Sequence, residues 1–276
     1  MTSRTITVAC SPDADDLFMM RAFFLGRVDT GDLVFQVNTH DTHGLNALAS
    51  GDGPDVCAIS TAWYPQIAAR YQLLPHGGSM GEGYGPVVIA REPMTVEALA
   101  GRKVAVPGTT TTAYQVLRRI APIDPVIIPI TPYERIFDAL RAGEVDAGLV
   151  IHEGRLTYER QGFHKVVDLG EWWAQDAGGL PLPLGANAIR RDLGPELIER
   201  VSRLLAAGIR DALDDRAAAI DWLIERGSAL KTPAEVDRYL QMYANERTYD
   251  YGEAGRDGIA RLLNLLGYRD PVDFAP

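Results

Sequence analysis

The chain has only two cysteines, Cys10 and Cys57, in 276 residues. Each falls within or at the end of a predicted strand, so both read as reduced core thiols, and the sequence carries no disulfide framework and no metal-ligand spacing. Long apolar runs are missing as well. None approaches the roughly 20 residues needed to span a bilayer, which excludes membrane insertion through a helix. Positive charge is scarce: 27 Lys and Arg stand against 37 Asp and Glu, a net charge of −10, with no basic run. Such a balance argues against nucleic acid and anionic membrane surfaces as partners. A small anionic substrate remains open, because a few placed donors suffice for one. No secretory leader is legible either, since Met1-Thr2-Ser3-Arg4 runs directly into Thr5-Ile6-Thr7-Val8-Ala9-Cys10. Val8-Ala9-Cys10 has the form of a lipoprotein cleavage box, but the apolar part before Cys10 is shorter than the roughly 7–15 residues of a signal core and contains threonines. A cytoplasmic location is expected. Repeats and low-complexity segments are absent. What remains is an ordinary globular composition, 46% hydrophobic and 23% charged, over a length that favours two domains.

Hydrophobic periodicity predicts alternating strands and helices. Strands are expected over Thr5–Ala9, Leu33–Val37, Val56–Ile59, Pro86–Ala90, Lys103–Val106, Val126–Pro129 and Val145–Ile151. Helices are expected over Leu17–Leu25, Thr42–Ala49, Ala62–Ala69, Thr112–Ile120 and Tyr133–Ala142. This order with short loops implies an α/β fold with mostly parallel sheets covered on both faces. The final third is helical by period over Pro195–Asp214, Arg216–Gly227, Pro233–Tyr243 and Gly252–Leu266. The chain is expected to cross to a second domain near Pro93 and to return near Gly185. Residues 1–93 with 186–276 would then form a larger discontinuous α/β domain, and 94–185 a smaller inserted one, with a ligand cleft between them.

The most informative stretch is Gly148-Leu149-Val150-Ile151-His152-Glu153-Gly154-Arg155, an apolar run ending in a histidine, a carboxylate and an arginine. Ligands of open α/β sheets bind just past the carboxyl ends of strands, which puts His152 at the mouth of a cleft. Its ordinary pKa lies nearest neutrality, so a small shift makes it a base or an acid. The plainer reading is a strand cap that bonds a loop. A second candidate is Pro107-Gly108-Thr109-Thr110-Thr111-Thr112-Ala113-Tyr114, between strand and helix. Hydroxyls and backbone N–H groups at a helix N-terminus suit a carboxylate or phosphate, and four threonines exceed what capping needs. The Gly-Lys-Ser/Thr ending of a Walker loop is missing. Ser11-Pro12-Asp13-Ala14-Asp15-Asp16 opens another helix, and at least one of its acids is expected to cap it. A calcium loop would need a glycine and a distal glutamate that this segment lacks. Ile59-Ser60-Thr61-Ala62 forms a third strand-to-helix hydroxyl pair. Gly77 to Gly85 holds five glycines in nine residues, which suits a hinge or a close approach of backbone to ligand better than a core element. His40, His43, His76 and His164 read as surface or loop residues. Trp172-Trp173 and Pro181-Leu182-Pro183-Leu184 read as packing between domains.

Together these segments resemble a known family. Val104-Ala105-Val106-Pro107-Gly108, Thr111-Thr112-Ala113-Tyr114, Gly143-Glu144-Val145 with Ala147-Gly148-Leu149, Ile151-His152-Glu153, Arg155 with Thr157-Tyr158, Val167-Asp168-Leu169-Gly170 before Trp172-Trp173, and Leu180 to Ala186 with Arg190-Arg191-Asp192-Leu193-Gly194 are similar to the 1,4-dihydroxy-6-naphthoate synthases of the futalosine route to menaquinone. The similarity runs from Val8 to about Leu263 and is densest from Val104 to Gly194. It implies a two-lobed type II periplasmic-binding-protein-like fold and a lyase without cofactor or metal that acts on cyclic dehypoxanthine futalosine. It implies His152 as base, with Thr111, Thr112 and Ser60 lining the site and Asn46 and the loop from Ser11 near the ligand. One departure stands out. The family pattern after the first strand is Ser-Pro-Cys-Pro-Asn-Asp, and this chain has carboxylates at Asp13 and Asp15 instead.

The expected mechanism has the Thr109, Thr110, Thr111, Thr112 turn and the Ser60-Thr61 pair holding the substrate carboxylate and hydroxyls. His152, neutral and partly desolvated, removes a proton from the sugar-derived portion. Glu153 and Arg155 are read either as orienting His152 or as pairing with one another. The rival readings are a solute-binding or sensor protein for a small organic anion, the related chorismate dehydratase, which the Ile-His-Glu step fits poorly, and a family branch with another substrate. The sequence leaves the oligomeric state open.

Overall fold

The computed structural model describes residues 3–129 and 134–276. In chain order the elements are β1 Arg4–Cys10, α1 Ala14–Leu25, β2 Leu33–Thr39, α2 Thr42–Ser50, β3 Val56–Ser60, α3 Tyr64–Ile67, β4 Tyr71–Leu73, β5 Ser79–Gly81 and β6 Val87–Ala90. There follow β7 Lys103–Val106, α4 Thr112–Ile120, β8 Asp124–Ile127, α5 Glu134–Ala142, β9 Ala147–Val150, α6 Gly154–Thr157, β10 His164–Asp168, α7 Leu169–Asp176 and β11 Leu182–Arg190. From Pro195 the described residues form α8 Pro195–Asp214, α9 Arg216–Glu225, α10 Pro233–Tyr243, α11 Glu246–Tyr249 and α12 Gly252–Leu265. Tyr133, the expected first residue of the helix at Glu134–Ala142, lies outside the described residues.

Two sheets organise these elements. One has the order β2-β1-β3-β11-β4, with β5 also paired to β11, and the other has the order β10-β6-β9-β7-β8. Burial follows position in the sheet. The interior strands β3, β6 and β9 are buried at every residue, and their near-unbroken apolar sequences are what coverage on both faces requires. The edge strand β2 alternates between sheltered and exposed side chains, the pattern of a strand with one wet face.

The sheets are mixed, not mostly parallel as the alternation of strands and helices had suggested. β1 runs parallel to β2 and β3, and β7 parallel to β8 and β9. β11 is antiparallel to β3, β4 and β5, and β6 is antiparallel to β9 and β10. The reason lies in connectivity. Parallel neighbours need a crossover of a dozen or more residues, whereas β6 and β11 are the strands by which the chain arrives from the other sheet. Their memberships also place the two crossings before Val87 and before Leu182, a few residues earlier than Pro93 and Gly185. Pro181 and Pro183 disguise β11 in the sequence, because proline removes a ladder donor. The register slips between Pro183 and Gly185 to accommodate it.

The glycine-rich run is packed rather than hinge-like, and of the two alternatives it fits the close approach of backbone to ligand, since Gly77 lines the cleft described below. Gly77, Gly78, Met80, Gly81 and Gly85 are buried. A Cβ on Gly78 would meet the Gly185 carbonyl oxygen and the Tyr251 hydroxyl at 2.6 Å, and one on Gly81 would meet the Tyr84 backbone. The glycines therefore let this segment lie flat against β11 and the α11–α12 corner. Beyond the sheets, α1 packs on α8, α9 and α10 through Phe18, Ala212, Ala219, Leu223 and Tyr239. This cluster carries α10 over the carboxyl end of β1. Cys10 and Cys57 are buried and unpaired with one another. Among the described residues no helix is long and apolar enough to cross a membrane.

Gly170, at the start of α7, tests the tightness of this packing. An added Cβ would lie 1.9 Å from the Tyr84 carbonyl carbon, backbone against backbone. Overpacking of this kind costs about 1–3 kcal/mol. Gly170→Ala is expected to lower the unfolding free energy by about 3 kcal/mol, read as a lower urea midpoint at unchanged slope, and an unchanged midpoint would show that the Tyr84 turn yields freely.

Candidate active site

A cleft enclosing about 770 Å3, its open mouth included, lies where the carboxyl ends of strands from both sheets face each other. Ser11 follows β1, Ser60 ends β3, Thr111 and Thr112 follow β7, and His152 follows β9. This is the placement expected for ligand sites on α/β sheets.

His152 occupies the left-handed region with φ 51°, alone among the non-glycine described residues. That conformation costs of order 1–3 kcal/mol and persists only where surrounding structure enforces it. Here it turns the chain sharply out of β9 and aims the imidazole across the cleft. Nδ1 lies 3.3 Å from Asp13 Oδ2 and 3.5 Å from the Tyr239 hydroxyl, and Nε2 lies 3.4 Å from Thr42 Oγ1. The Tyr239 hydroxyl donates to Asp15 Oδ1 at 3.1 Å, and the Ser79 hydroxyl donates to Asp15 Oδ2 at 2.5 Å. The Ser11 hydroxyl donates to Asp13, and the Ser11 N–H donates to Asp16 at 2.6 Å.

The acidic loop does not cap α1 in the expected way. Asp13 stands at the N-cap position, yet its side chain makes no capping hydrogen bond, because the carboxylate turns toward His152 and Ser11. The Ala14 N–H at the head of the helix donates instead to Glu153 Oε1 at 3.1 Å, from across the cleft. Glu153 and Arg155 are therefore not partners. Arg155 donates to Asp168 at 2.7 Å and lies over the Tyr84 ring, and Asp168 in turn accepts the Gly170 and Glu171 N–H groups that open α7.

The opposite wall is neutral and rich in donors. Thr111 caps α4: its hydroxyl accepts the Tyr114 N–H at 3.2 Å and donates to the Gly108 carbonyl at 2.9 Å. The Thr112 hydroxyl donates to the Leu184 carbonyl at 2.7 Å and accepts the Ala62 N–H at 3.1 Å. With those protons engaged, the wall offers a ligand the first amides of α4, which have no partner within the helix. Ser60 adds its hydroxyl, which accepts from Asn46 Nδ2 at 3.0 Å and so keeps its own proton for the cleft. Of the residues singled out from sequence, Ser11, Ser60, Thr111, Thr112 and His152 line the cleft, and Asn46, Thr61, Thr109 and Thr110 do not. Asn46 holds Ser60 through both its side-chain oxygen and nitrogen, and Thr110 Oγ1 joins Asn46 and His43, each at 3.0 Å. The Thr109 carbonyl accepts from Gln115. Thr61 Oγ1 is buried without a partner. Nor do two of the other histidines lie at the surface. His43 is half-buried on α2 and meets Thr110, and His76, in a loop as expected but buried and bonded to Ser202, is pushed down to about 4 by desolvation. Sequence reasoning missed Thr42, Ser79, Tyr239 and Tyr243. The two tyrosines sit four apart on α10, one helix face, and that spacing was their one legible signal.

Four carboxylates crowd the His152 side. Desolvation, reinforced by Asp15, raises Asp16 to about 8, and desolvation with Asp13 raises Glu153 to about 7. Burial lowers the pKa of His152, but Asp13, Asp15, Glu153 and Asp16 outweigh it and the net shift is upward. His152 thus holds its proton more readily than an isolated histidine. A group with a higher pKa folded than unfolded stabilises fully below the unfolded value and loses that contribution as pH climbs through the folded one. For Asp16 and Glu153 the window runs from 3.8–4.5 to about 8, and His152 acts in the same direction. Exposed Asp192 and Glu246, held low by arginine partners, act below it. The melting temperature is expected to fall as pH rises from about 5 to about 8.5, and to fall less in Asp16→Asn, which keeps an acceptor for the Ser11 N–H. A flat or rising profile in both proteins would remove the buried protons from this account.

A family model described as menaquinone biosynthesis matches residues 6–268. The 1,4-dihydroxy-6-naphtoate synthase of Streptomyces coelicolor is 40% identical over 271 residues, 96% of this chain and 93% of that one. An X-ray structure of an Archaeoglobus fulgidus protein matches with a TM-score of 0.88 at 38% identity, covering 95% of this chain and 96% of that chain. The alkanesulfonate-binding protein of Xanthomonas axonopodis pv. citri, bound to MOPS, matches with a TM-score of 0.67 at 17% identity, covering 99% and 97%. The last likeness concerns the fold alone, an α/β fold of the periplasmic-binding-protein kind with mixed sheets. By the extent of the family match and the identity to its curated relative, the chain belongs to the menaquinone biosynthesis family.

Proposed function

We propose that this chain is a lyase that converts cyclic dehypoxanthine futalosine to 1,4-dihydroxy-6-naphthoate without a cofactor. The name of its 40%-identical relative supports the reaction, and the observation that carries it is the imidazole of His152 held in left-handed backbone at the cleft mouth, between carboxylates and a hydroxyl. The substrate is a small organic anion whose carboxylate lies against the first amides of α4 and the Ser60 hydroxyl. His152 removes a proton from the sugar-derived portion, the electron pair so released drives cleavage of its bond to the ring system, the ring system takes up the electrons and a proton as it aromatises, and the naphthoate and the sugar-derived fragment leave as the two products. The acidic wall takes the hydroxyl-rich end, since Asp15 lines the cleft there with acceptor oxygens and Asp16, protonated toward neutral pH, can donate as well as accept.

The architecture proposed with this reading is a two-lobed type II binding-protein form. The larger lobe is discontinuous, near residues 1–93 and 186–276, the smaller one spans 94–185, and the helical C-terminal third packs on the larger. Strand membership moves the crossings toward Val87 and Leu182. The working location is the cytoplasm.

Incubation of the purified protein with cyclic dehypoxanthine futalosine is expected to yield 1,4-dihydroxy-6-naphthoate by mass spectrometry, and His152→Ala to slow the reaction by about 10²–10⁴-fold. Retention of more than about a tenth of the rate removes His152 from the base role. Stoichiometric ligand binding with no product from folded protein replaces the lyase with a binder or with a branch acting on another substrate.

A further inference from the structure

We propose that Asp13 is the positioning residue of His152. Its carboxylate lies against Nδ1 at ion-pair distance, favours the tautomer that keeps the proton on Nδ1 and leaves Nε2 as the free base, and balances the imidazolium that forms when Nε2 takes a proton. This rests on the reading of His152 as the base.

The groups around Nδ1 decide which ring nitrogen carries the proton. Two oxygens approach it, Asp13 Oδ2 at 3.3 Å and the Tyr239 hydroxyl at 3.5 Å. The single proton of Tyr239 is directed to Asp15 at 3.1 Å, so toward His152 the phenol oxygen acts as an acceptor. Asp13 Oδ2 receives the Ser11 hydroxyl, and a carboxylate offers only acceptor sites. Both neighbours call for a donor, so the proton sits on Nδ1. Nε2 is left with its lone pair toward Thr42 Oγ1 at 3.4 Å, a hydroxyl that lines the cleft. A histidine whose far nitrogen is fixed by a carboxylate is the arrangement that orients an imidazole base elsewhere in protein chemistry.

The backbone shows why Asp13 is free for this work. A residue in its position ordinarily caps the helix that follows. Here Glu153 takes the Ala14 N–H from across the cleft, and the Asp13 N–H bends back to Ser11 Oγ at 3.1 Å. The side chain next to the base thus supports the helix, and the side chain that should support the helix holds the base. The other ionisable groups facing His152 are Asp15 and Asp16 on α1, Glu153 on its own turn and Tyr239 on α10. Arg155, which also lines the cleft, is committed to Asp168. Asp13 is the carboxylate within direct reach of the ring.

The test uses two variants. Asp13→Asn keeps the size but presents an amide that can donate to Nδ1, which inverts the tautomer. Asp13→Cys, the residue of the related pattern, leaves Nδ1 loosely held. Side-chain 15N–1H spectra of ligand-free protein, recorded above the titration of His152 and assigned by comparison with His152→Ala, are expected to show Nδ1–H in the parent chain and Nε2–H in Asp13→Asn. The acid limb of the pH–rate profile is expected to move to lower pH by about one unit or more in both variants, because the nearest stabilising charge is gone. kcat should fall roughly 10–10³-fold in Asp13→Asn, less in Asp13→Cys, with KM little changed. An Nε2–H tautomer in the parent chain, or a tautomer and acid limb unmoved by Asp13→Asn, overturns the proposal. The spectra need no turnover. If they come out as expected and no naphthoate is formed, the lyase reading fails while the Asp13–His152 pair stands. If naphthoate is formed and the variant spectra are unchanged, the pair fails alone.

Discussion

Two carboxylates have exchanged duties across the cleft, and the geometry of the site follows from that exchange. Glu153, next to the histidine in sequence, accepts the first amide of α1. Asp13, at the head of α1, reaches the histidine. Each contact ties the loop after β1 to the turn after β9, so the two sheets are held in register where their strand ends meet. The left-handed turn at His152 is part of the same construction. It points one side chain across the cleft and the next at the helix, which an extended backbone could not do with successive residues, since those project to opposite faces of a strand. Strain at one residue is the cost of placing an imidazole and a helix-capping carboxylate side by side.

Much of the fold was legible because burial leaves a direct mark on sequence. Val56 to Ser60, Val87 to Ala90 and Ala147 to Val150 are apolar runs because they lie inside sheets, and the capping and proline signals at Pro195 and Pro233 mark true helix starts. What stayed hidden involved partners distant in the chain. Strand direction is set by which sheet the chain has just left, and no local pattern around Leu182 records that. Asp13 carries every mark of a helix cap, and only Glu153, far away in sequence, relieves it of that role. Tyr239 and Tyr243 look like core residues of α10, and they are buried. The hydroxyl chemistry of Tyr239 becomes visible only when α1 brings Asp15 to it. His152 itself stood out because a polar residue ends an apolar run at a strand terminus, where fold geometry and side-chain chemistry coincide.

The two walls of the cleft differ in electrical character. At the α4 end, unpaired amides and the Ser60 hydroxyl face inward, and Thr111 and Thr112 spend their hydroxyls on the scaffold. At the α1 end, Asp15 and Asp16 face inward, with Asp13 and Glu153 behind them. A ligand spanning both must be anionic at one end and rich in donors at the other. A ligand anionic at both ends would meet like charges in a partly desolvated space, where such repulsion is screened weakly. The carboxylates at Asp13 and Asp15 therefore narrow the range of acceptable molecules as well as surrounding the base.

The same carboxylates decide when the base is free. An imidazole flanked by four ionised acids would hold its proton too firmly to accept another. Desolvation answers this by keeping Asp16 and Glu153 protonated toward neutral pH, about 8 and about 7 respectively. Each of those bound protons removes a charge that would otherwise raise His152 further. Asp13, the carboxylate nearest the ring, is itself pushed up by desolvation and drawn back down by the His152 charge and the Ser11 hydroxyl, so it shares its proton balance directly with the base. A cluster that looks excessive as a counter-ion for one histidine thus acts as a reservoir of shared protons, in which burial sets how many negative charges the base sees. Filling the cleft with ligand would deepen that burial, raise the two carboxylic acids further and leave Asp13 and Asp15 as the acids facing His152.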